Sequence, residues 1–166
     1  MDVAVQSERV ERVDYAGAVY GSLLAASVVV GSAPRHTPTP ALSLVVLLLA
    51  TGVVFWLAHV YASLAGDREK GAPLTKQEVR QVGSREWPLA QAAVPPAAAA
   101  ALCWLLGLSN ATAAWCALFV ALASQVGWTV VAGTRSNAKP LLIVVSAVVN
   151  LLLGLVIVML KVVLTH

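Results

Sequence analysis

His59 is the residue of this sequence whose chemistry most restricts its surroundings. It stands near the end of an uncharged stretch from Ala41 to Gly66, in the tetrapeptide Trp56-Leu57-Ala58-His59. An imidazole exchanges a proton near neutral pH and can donate or accept hydrogen bonds. Because lipid offers no polar partner, we expect His59 to meet other polar side chains inside a helix bundle. The residue could be structural, or it could sense, gate or coordinate.

Several polar side chains are predicted at one depth in the membrane. Counting helix rise from the predicted cytoplasmic ends brings together Tyr20, His59, Gln125, Ser146 and Asn150. Such a layer could satisfy itself through hydrogen bonds, or it could line a water-filled vestibule. The sequence leaves both alternatives open.

The charged side chains argue against an enzyme. All eight carboxylates are predicted outside the membrane spans, so neither the paired aspartates of an intramembrane protease nor an acidic proton relay is expected inside the bundle. His59 could form a dyad with Ser124 or Ser146, but no motif surrounds either serine. No spacing of Cys and His is typical of a metal site. We therefore expect no catalytic residues, no metal and no cofactor.

The composition indicates an integral membrane protein that is all-α. Of 166 residues, 59% are hydrophobic and 11% are charged, against about 25% charged in soluble domains. The uncharged runs predict five spans, the third and fourth separated by a turn at Gly107-Leu108-Ser109-Asn110. We expect a single transmembrane domain, a five-helix bundle with spans at about 15–34, 41–66, 88–107, 111–133 and 140–162.

The basic residues predict the orientation of the chain. Of the eleven Lys and Arg residues, nine fall on the side of the N-terminus and of the loop 67–87, and only Arg35 and Lys161 fall on the other. Basic residues are retained on the cytoplasmic side, so the N-terminus is expected inside and the C-terminus outside. The net charge of +3 then reflects orientation and attraction to anionic lipids at the inner surface, and we expect no nucleic acid partner.

Small residues predict where helices pack closely. Gly17, Gly21 and Ala25 recur every four residues in the first span, and Gly154 shares a face of the fifth span with Ser146 and Asn150. Such faces let backbones approach one another in a membrane. Because these faces exceed what one compact bundle readily buries, we expect a homo-oligomer.

The cytoplasmic loop 67–87 is predicted to hold a short amphipathic helix. Thr75 and Glu78 form a capping-box pattern, and the segment from Lys76 to Glu86 reads as a helix along the inner leaflet. The third span then enters at Trp87-Pro88, and Pro95-Pro96 should kink it.

Two cysteines are predicted at similar depth near the outer turn. Cys103 lies in the third span and Cys116 in the fourth. They could form a disulfide across the two helices or remain packing thiols.

The first two spans resemble the bacterial branch of the lysosomal-type potassium channel family. The resemblance depends on Arg12, Tyr15, Val19, Tyr20, Trp56 and His59, in the same order and on the same two spans as the family signature. It implies a packing hub of Arg12, Tyr15, Trp56 and His59. The pore-narrowing isoleucine of the family falls at Ser22, which is the pore candidate that the resemblance adds.

These observations together predict a multi-pass protein of a bacterial plasma membrane. The expected function is channel-like or transport activity for a small cation or proton, with the polar layer near the cytoplasmic mouth. The alternative is a non-catalytic membrane subunit or lipid-binding scaffold that oligomerises through its small-residue faces. Whether a continuous wet path reaches His59 separates the two.

Overall fold

The computed structural model describes residues 15–32, 38–66, 75–135 and 139–165, and all regular structure in these ranges is helical. The six helices, numbered in chain order, are α1 (Tyr15–Gly31), α2 (Ala41–Gly66), α3 (Lys76–Gln91), α4 (Val94–Leu105), α5 (Asn110–Arg135) and α6 (Pro140–Thr165). The all-α class that the composition predicts is therefore present.

The length and composition of the helices are those of a membrane protein. Among the described residues, α2, α5 and α6 are each long and apolar enough to cross a bilayer. The pair α3 and α4 meets the same criteria only when taken together, and it is bent by 41°. The apolar part of α1, Ala16–Gly31, is shorter. The described helices thus give three candidate crossings, or up to four if the bent pair is one span, and the five-span bundle stays a prediction.

The break between α3 and α4 lies one turn before the residues predicted to cause a kink. α3 does not end at Glu86 but runs through Trp87 and Pro88 to Gln91, and the chain turns at residues 92–93. Pro95 and Pro96 occupy the first turn of α4, where a missing N–H costs least. A proline ring clashes with the carbonyl four residues earlier, so the disruption is displaced toward the N-terminus.

The turn between α4 and α5 is closed by a glycine. Gly107 has φ of +69°, a left-handed conformation that ends α4. The amide of Leu108 donates to the carbonyl of Cys103 over 3.0 Å, which satisfies one of the last carbonyls of the helix. This is the turn that the sequence predicts from Gly107 to Asn110.

The core of the bundle is built around the contact between α1 and α5. α2 packs mainly against α3 and α4, and α6 packs against α5 and α1. The main buried cluster consists of Ala25, Ala26, Val29, Val30, Leu44, Leu48, Ala97, Ala100, Ala117, Leu118 and Ala121. Because more than half of these residues are alanine, the helices approach closely and small changes in side-chain volume will be felt.

The predicted small-residue faces contact helices of the same chain. A Cβ atom on Gly21 would lie 2.5 Å from the carbonyl oxygen of Leu89, and one on Gly17 would lie 3.7 Å from the Leu89 Cβ. Ala25 is buried in the main cluster, and a Cβ on Gly154 would lie 2.8 Å from a methyl group of Leu122. These faces hold the bundle itself together, so the predicted homo-oligomer needs another surface.

Candidate functional site

The contact between α2 and α3 begins at Trp56. Its indole N–H donates to the carbonyl oxygen of Gly83 over 2.9 Å. The Trp56 ring also meets Trp87 edge to face, with ring centroids 5.3 Å apart and an angle of 88°. Gly83 is buried, and a Cβ there would come within 3.5 Å of the Trp56 ring. The indole therefore fixes α3 along the side of α2.

Further along the same contact, a carboxylate is buried between the helices. Glu86 on α3 is only 8% exposed. The hydroxyl of Ser63 on α2 lies 3.5 Å from its Oε1 atom, in position to donate a long hydrogen bond. The short helix of the loop 67–87 is predicted to end at Glu86, whereas α3 continues past Glu86 to Gln91, and Glu86 is buried against α2.

His59 lies one helical turn before Ser63 and contacts α1. Its ring centroid is 5.7 Å from that of Tyr20, and the two planes are tilted by 46°. His59 is half-buried, and Tyr20 is 42% exposed. Within the part of the chain that the structure describes, the imidazole forms no hydrogen bond. It packs against the aromatic ring of Tyr20, whereas the sequence predicts a hydrogen bond to a polar group.

We call Tyr20, His59, Ser63 and Glu86 the polar cluster. It joins α1, α2 and α3 through two side-chain contacts, and it contains three titratable groups and one hydroxyl. Each of these groups can carry a proton, and their oxygen and nitrogen atoms can bind a small cation. Neither Ser63 nor Glu86 is among the site residues that the sequence predicts. The spacing of the buried residues Gly83, Glu86 and Ala90 on α3, at i, i+3 and i+7, is the signal that could have found the carboxylate.

A second polar contact joins α5 to α6. The side-chain amide of Gln125 donates to the Asn150 carboxamide oxygen over 2.9 Å and approaches the Asn150 backbone carbonyl at 3.4 Å. The Asn150 amide in turn donates to the backbone carbonyl of Ser146 over 3.0 Å. Gln125 is 1% exposed, and its Oε1 atom has no hydrogen-bond partner among the described residues. This pair acts as a polar link between two apolar helices.

The residues of the predicted polar layer form separate contacts in the structure. Tyr20 meets His59, while Gln125 meets Asn150. Ser146 is exposed and contributes its backbone carbonyl to Asn150. Ser22 is buried, and its hydroxyl donates to the Ala18 carbonyl of its own helix over 2.9 Å. Counting helix rise gives the depth of a residue but not the direction of its side chain around the helix.

The predicted packing hub is described only at two of its residues. Arg12 lies outside the described residues, and Tyr15 begins α1 but its side chain lies outside the described part of the chain. Trp56 contacts α3 at Gly83 and Trp87, and His59 contacts α1 at Tyr20. The two residues thus fix α2 to two different neighbours.

An apolar cleft lies beside the polar cluster. It is shallow, with room for about one water molecule, and it is lined by Gly21, Leu24, Ala25, Val28, Leu48, Thr51, Gly52, Phe55, Leu89 and Ala93. Gly21 follows Tyr20 directly on α1, and Leu89 comes one turn after Glu86 on α3. Among the residues that line the cleft, Thr51 is the one with a polar side chain.

Among the described residues, no group of three or more His, Cys, Asp and Glu side chains could hold a metal ion. Comparison with protein-family models, with curated proteins and with solved structures gives no match to this chain. The resemblance to the lysosomal-type potassium channel family stays a prediction based on six residues of the first two spans.

Proposed function

We propose that this membrane protein is channel-like or transports a small cation or proton, which it takes up at the polar cluster near the predicted cytoplasmic mouth. The observation that supports the proposal is the burial of Glu86 against Ser63, one helical turn from His59. The carboxylate, hydroxyl and imidazole groups of the cluster could bind and release a proton or a small cation.

Burial of the Glu86 carboxylate in the bundle carries a cost in free energy. Removing a carboxylate from water is expensive unless the charge is paired, bound to a cation or neutralised by a proton. Within the described chain, the partner of Glu86 is the neutral hydroxyl of Ser63, and no Lys, Arg or His forms an ion pair with it. The carboxyl group is therefore suited to bind a proton or a small cation reversibly.

The neighbouring groups give this binding a path. Ser63 can donate to the ionised carboxylate and can also accept from the protonated form. His59 lies one helical turn before Ser63 on α2 and meets the more exposed Tyr20, so a proton or cation that leaves Glu86 would pass next to the imidazole and the phenol. The apolar cleft beyond the cluster would act as a hydrophobic constriction that opens only when wetted.

A flux assay on the purified protein in liposomes tests the proposal. Proton, potassium and sodium gradients are imposed in turn on liposomes with the parent chain, with His59→Ala and with Tyr61→Ala as a matched control, because Tyr61 is exposed on the same helix. We expect flux above that of empty liposomes in the parent and in the control, and a several-fold lower flux with His59→Ala. A parent chain that gives no more flux than empty liposomes contradicts the proposal.

A second candidate function is a non-catalytic membrane subunit or lipid-binding scaffold. The observation that favours it is the Gln125–Asn150 link, which uses polar groups to attach α6 and leaves most of its apolar surface open. A homo-oligomer or a partner helix could cover that surface. The exposed segment of α3 with Lys76, Arg80 and Arg85 would attract anionic lipids.

Native mass spectrometry of the protein in nanodiscs distinguishes this candidate. A scaffold is expected to form a defined oligomer, or to retain anionic lipid, while giving no flux. Loss of the retained lipid in the triple variant Lys76→Gln, Arg80→Gln and Arg85→Gln would support lipid binding on α3. A monomer that retains no anionic lipid contradicts the scaffold.

A further inference from the structure

The two cysteines of the chain meet on either side of the turn between α4 and α5. Cys103 lies in the last turns of α4 and is 6% exposed. Cys116 lies near the start of α5 and is half-buried. Both belong to one packed group, since Cys116 packs against the buried cluster that contains Cys103, and both thiols are free.

The residues around the two thiols have small side chains. Cys116 packs against a buried cluster that consists of Ala41, Cys103 and Ala113. The amide of Ala41 at the start of α2 donates to the Asn110 side-chain oxygen over 3.0 Å, which holds α2 beside the turn. The buried neighbours of the two thiols are alanines, and a connection of only four residues, 106–109, joins the two helices.

We propose that Cys103 and Cys116 are a disulfide-forming pair, a modification site that covalently joins α4 to α5. This inference is independent of the proposed transport function, since the pair shares no residue with the polar cluster. Joining adjacent helices near their connecting turn restricts the unfolded chain and so stabilises the folded one.

The chemistry requires an oxidant, and a small-molecule disulfide supplies one. The more exposed thiol, Cys116, loses its proton and attacks one sulfur of that disulfide, which releases one small thiolate and leaves a mixed disulfide. The Cys103 thiolate then attacks the Cys116 sulfur and displaces the second small thiolate. Two protein thiols are oxidised by two electrons, and one small disulfide is reduced to two thiols, each of which takes up a released proton.

Titration of the full-length protein in detergent micelles with dithiodipyridine tests the proposal. We expect two thiopyridone molecules released per chain, a protein with no bound pyridine and a mass about 2 Da below the reduced chain. Cys103→Ser should release one thiopyridone and retain one pyridine on Cys116, while Cys116→Ser should react more slowly because Cys103 is the more buried thiol. Serine changes little of the volume, so both variants should still fold.

The oxidised protein should also be more stable. We expect its melting temperature to lie about 5–10 °C above that of the same sample after reduction with dithiothreitol, as for a loop of this length. Two stable pyridine adducts per chain, no reaction in the folded protein, or disulfides that form only between chains would each overturn the proposal.

Discussion

The hydroxyl of Ser63 on α2 and the carboxylate of Glu86 on α3 face each other at 3.5 Å inside the bundle. This contact sits at the end of a helix pair that Trp56 also fixes through its hydrogen bond to Gly83. It places an ionisable oxygen where α2 and α3 exclude most water. The chemistry proposed for this protein depends on that burial.

Ser63→Ala is expected to destabilise the protein, because Glu86 loses its neighbouring donor while remaining buried. The expected loss is about 1–3 kcal/mol, the usual range for leaving a buried polar or charged group unsatisfied. The control is Ser43→Ala, since Ser43 is exposed on the same helix. Thermal unfolding of both variants in detergent micelles, followed by circular dichroism, measures the difference. Equal melting temperatures for the two variants would show that the Ser63 contact does not support the carboxylate.

Gly21→Ala is expected to disturb the packing of α1 against the end of α3. The added methyl group would lie 2.5 Å from the Leu89 carbonyl oxygen and 2.8 Å from the Ala92 Cβ, and neither atom belongs to a flexible side chain that could move aside. Overpacking of this kind costs about 1–3 kcal/mol.

The matched control for that variant is Gly127→Ala. A Cβ on Gly127 in α5 would meet nothing within 4 Å, and alanine favours a helix by up to about 1 kcal/mol over glycine. The two substitutions should therefore move the melting temperature in opposite directions. A Gly21→Ala variant as stable as the parent would mean that α1 does not pack closely on α3.

Substitutions at Gln125 and Asn150 are expected to have unequal effects. Asn150→Leu removes the shorter of the two hydrogen bonds of the buried Gln125 amide and leaves it only the 3.4 Å contact with the residue 150 backbone carbonyl, at a cost of about 1–3 kcal/mol. Gln125→Leu also removes the Oε1 atom that already has no partner, and Asn150 keeps its bond to the Ser146 carbonyl. Gln125→Leu should therefore cost less than Asn150→Leu.

Thermal unfolding of the two single variants and the double variant measures this asymmetry as a double-mutant cycle. A positive coupling below about 2 kcal/mol is expected for a hydrogen bond between membrane helices. If Gln125→Leu is the more damaging change, the buried oxygen atom has a stabilising partner and the description of this link is wrong.

The composition and the uncharged runs were sufficient to predict an all-α membrane protein, because an uncharged apolar stretch of about 20 residues has the length of a helix that crosses a bilayer. The position of the proline break was harder to predict. A proline acts on the carbonyl one turn before it, so Pro95 and Pro96 open the helix at residues 92–93 and start a new one.

The site could be predicted less completely than the fold. Trp56, His59 and Ser63 recur at helical spacing on α2, but the charged pair Arg85-Glu86 predicts that the short helix ends at Glu86, outside the spans. Only the continuation of α3 through Trp87 and Pro88 turns Glu86 toward α2. The partners of Gln125 and Tyr20 depend on the rotation of each helix about its axis, which depth alone does not define.

Proton, potassium and sodium flux through liposomes that contain Glu86→Gln tests the central claim most directly. Glutamine has nearly the size of glutamate and can still accept the hydrogen bond from Ser63, but it cannot bind a proton or neutralise a cation. The fold should stay intact, because the substitution removes a buried charge and leaves no unpaired one. The matched control is Glu78→Gln, since Glu78 is exposed on the same helix and α3 is capped through its backbone amide. We predict that the flux through the Glu78→Gln variant equals that of the parent, and that the flux through the Glu86→Gln variant falls to the level of empty liposomes. Parental flux through a folded Glu86→Gln variant would contradict the proposed role of Glu86.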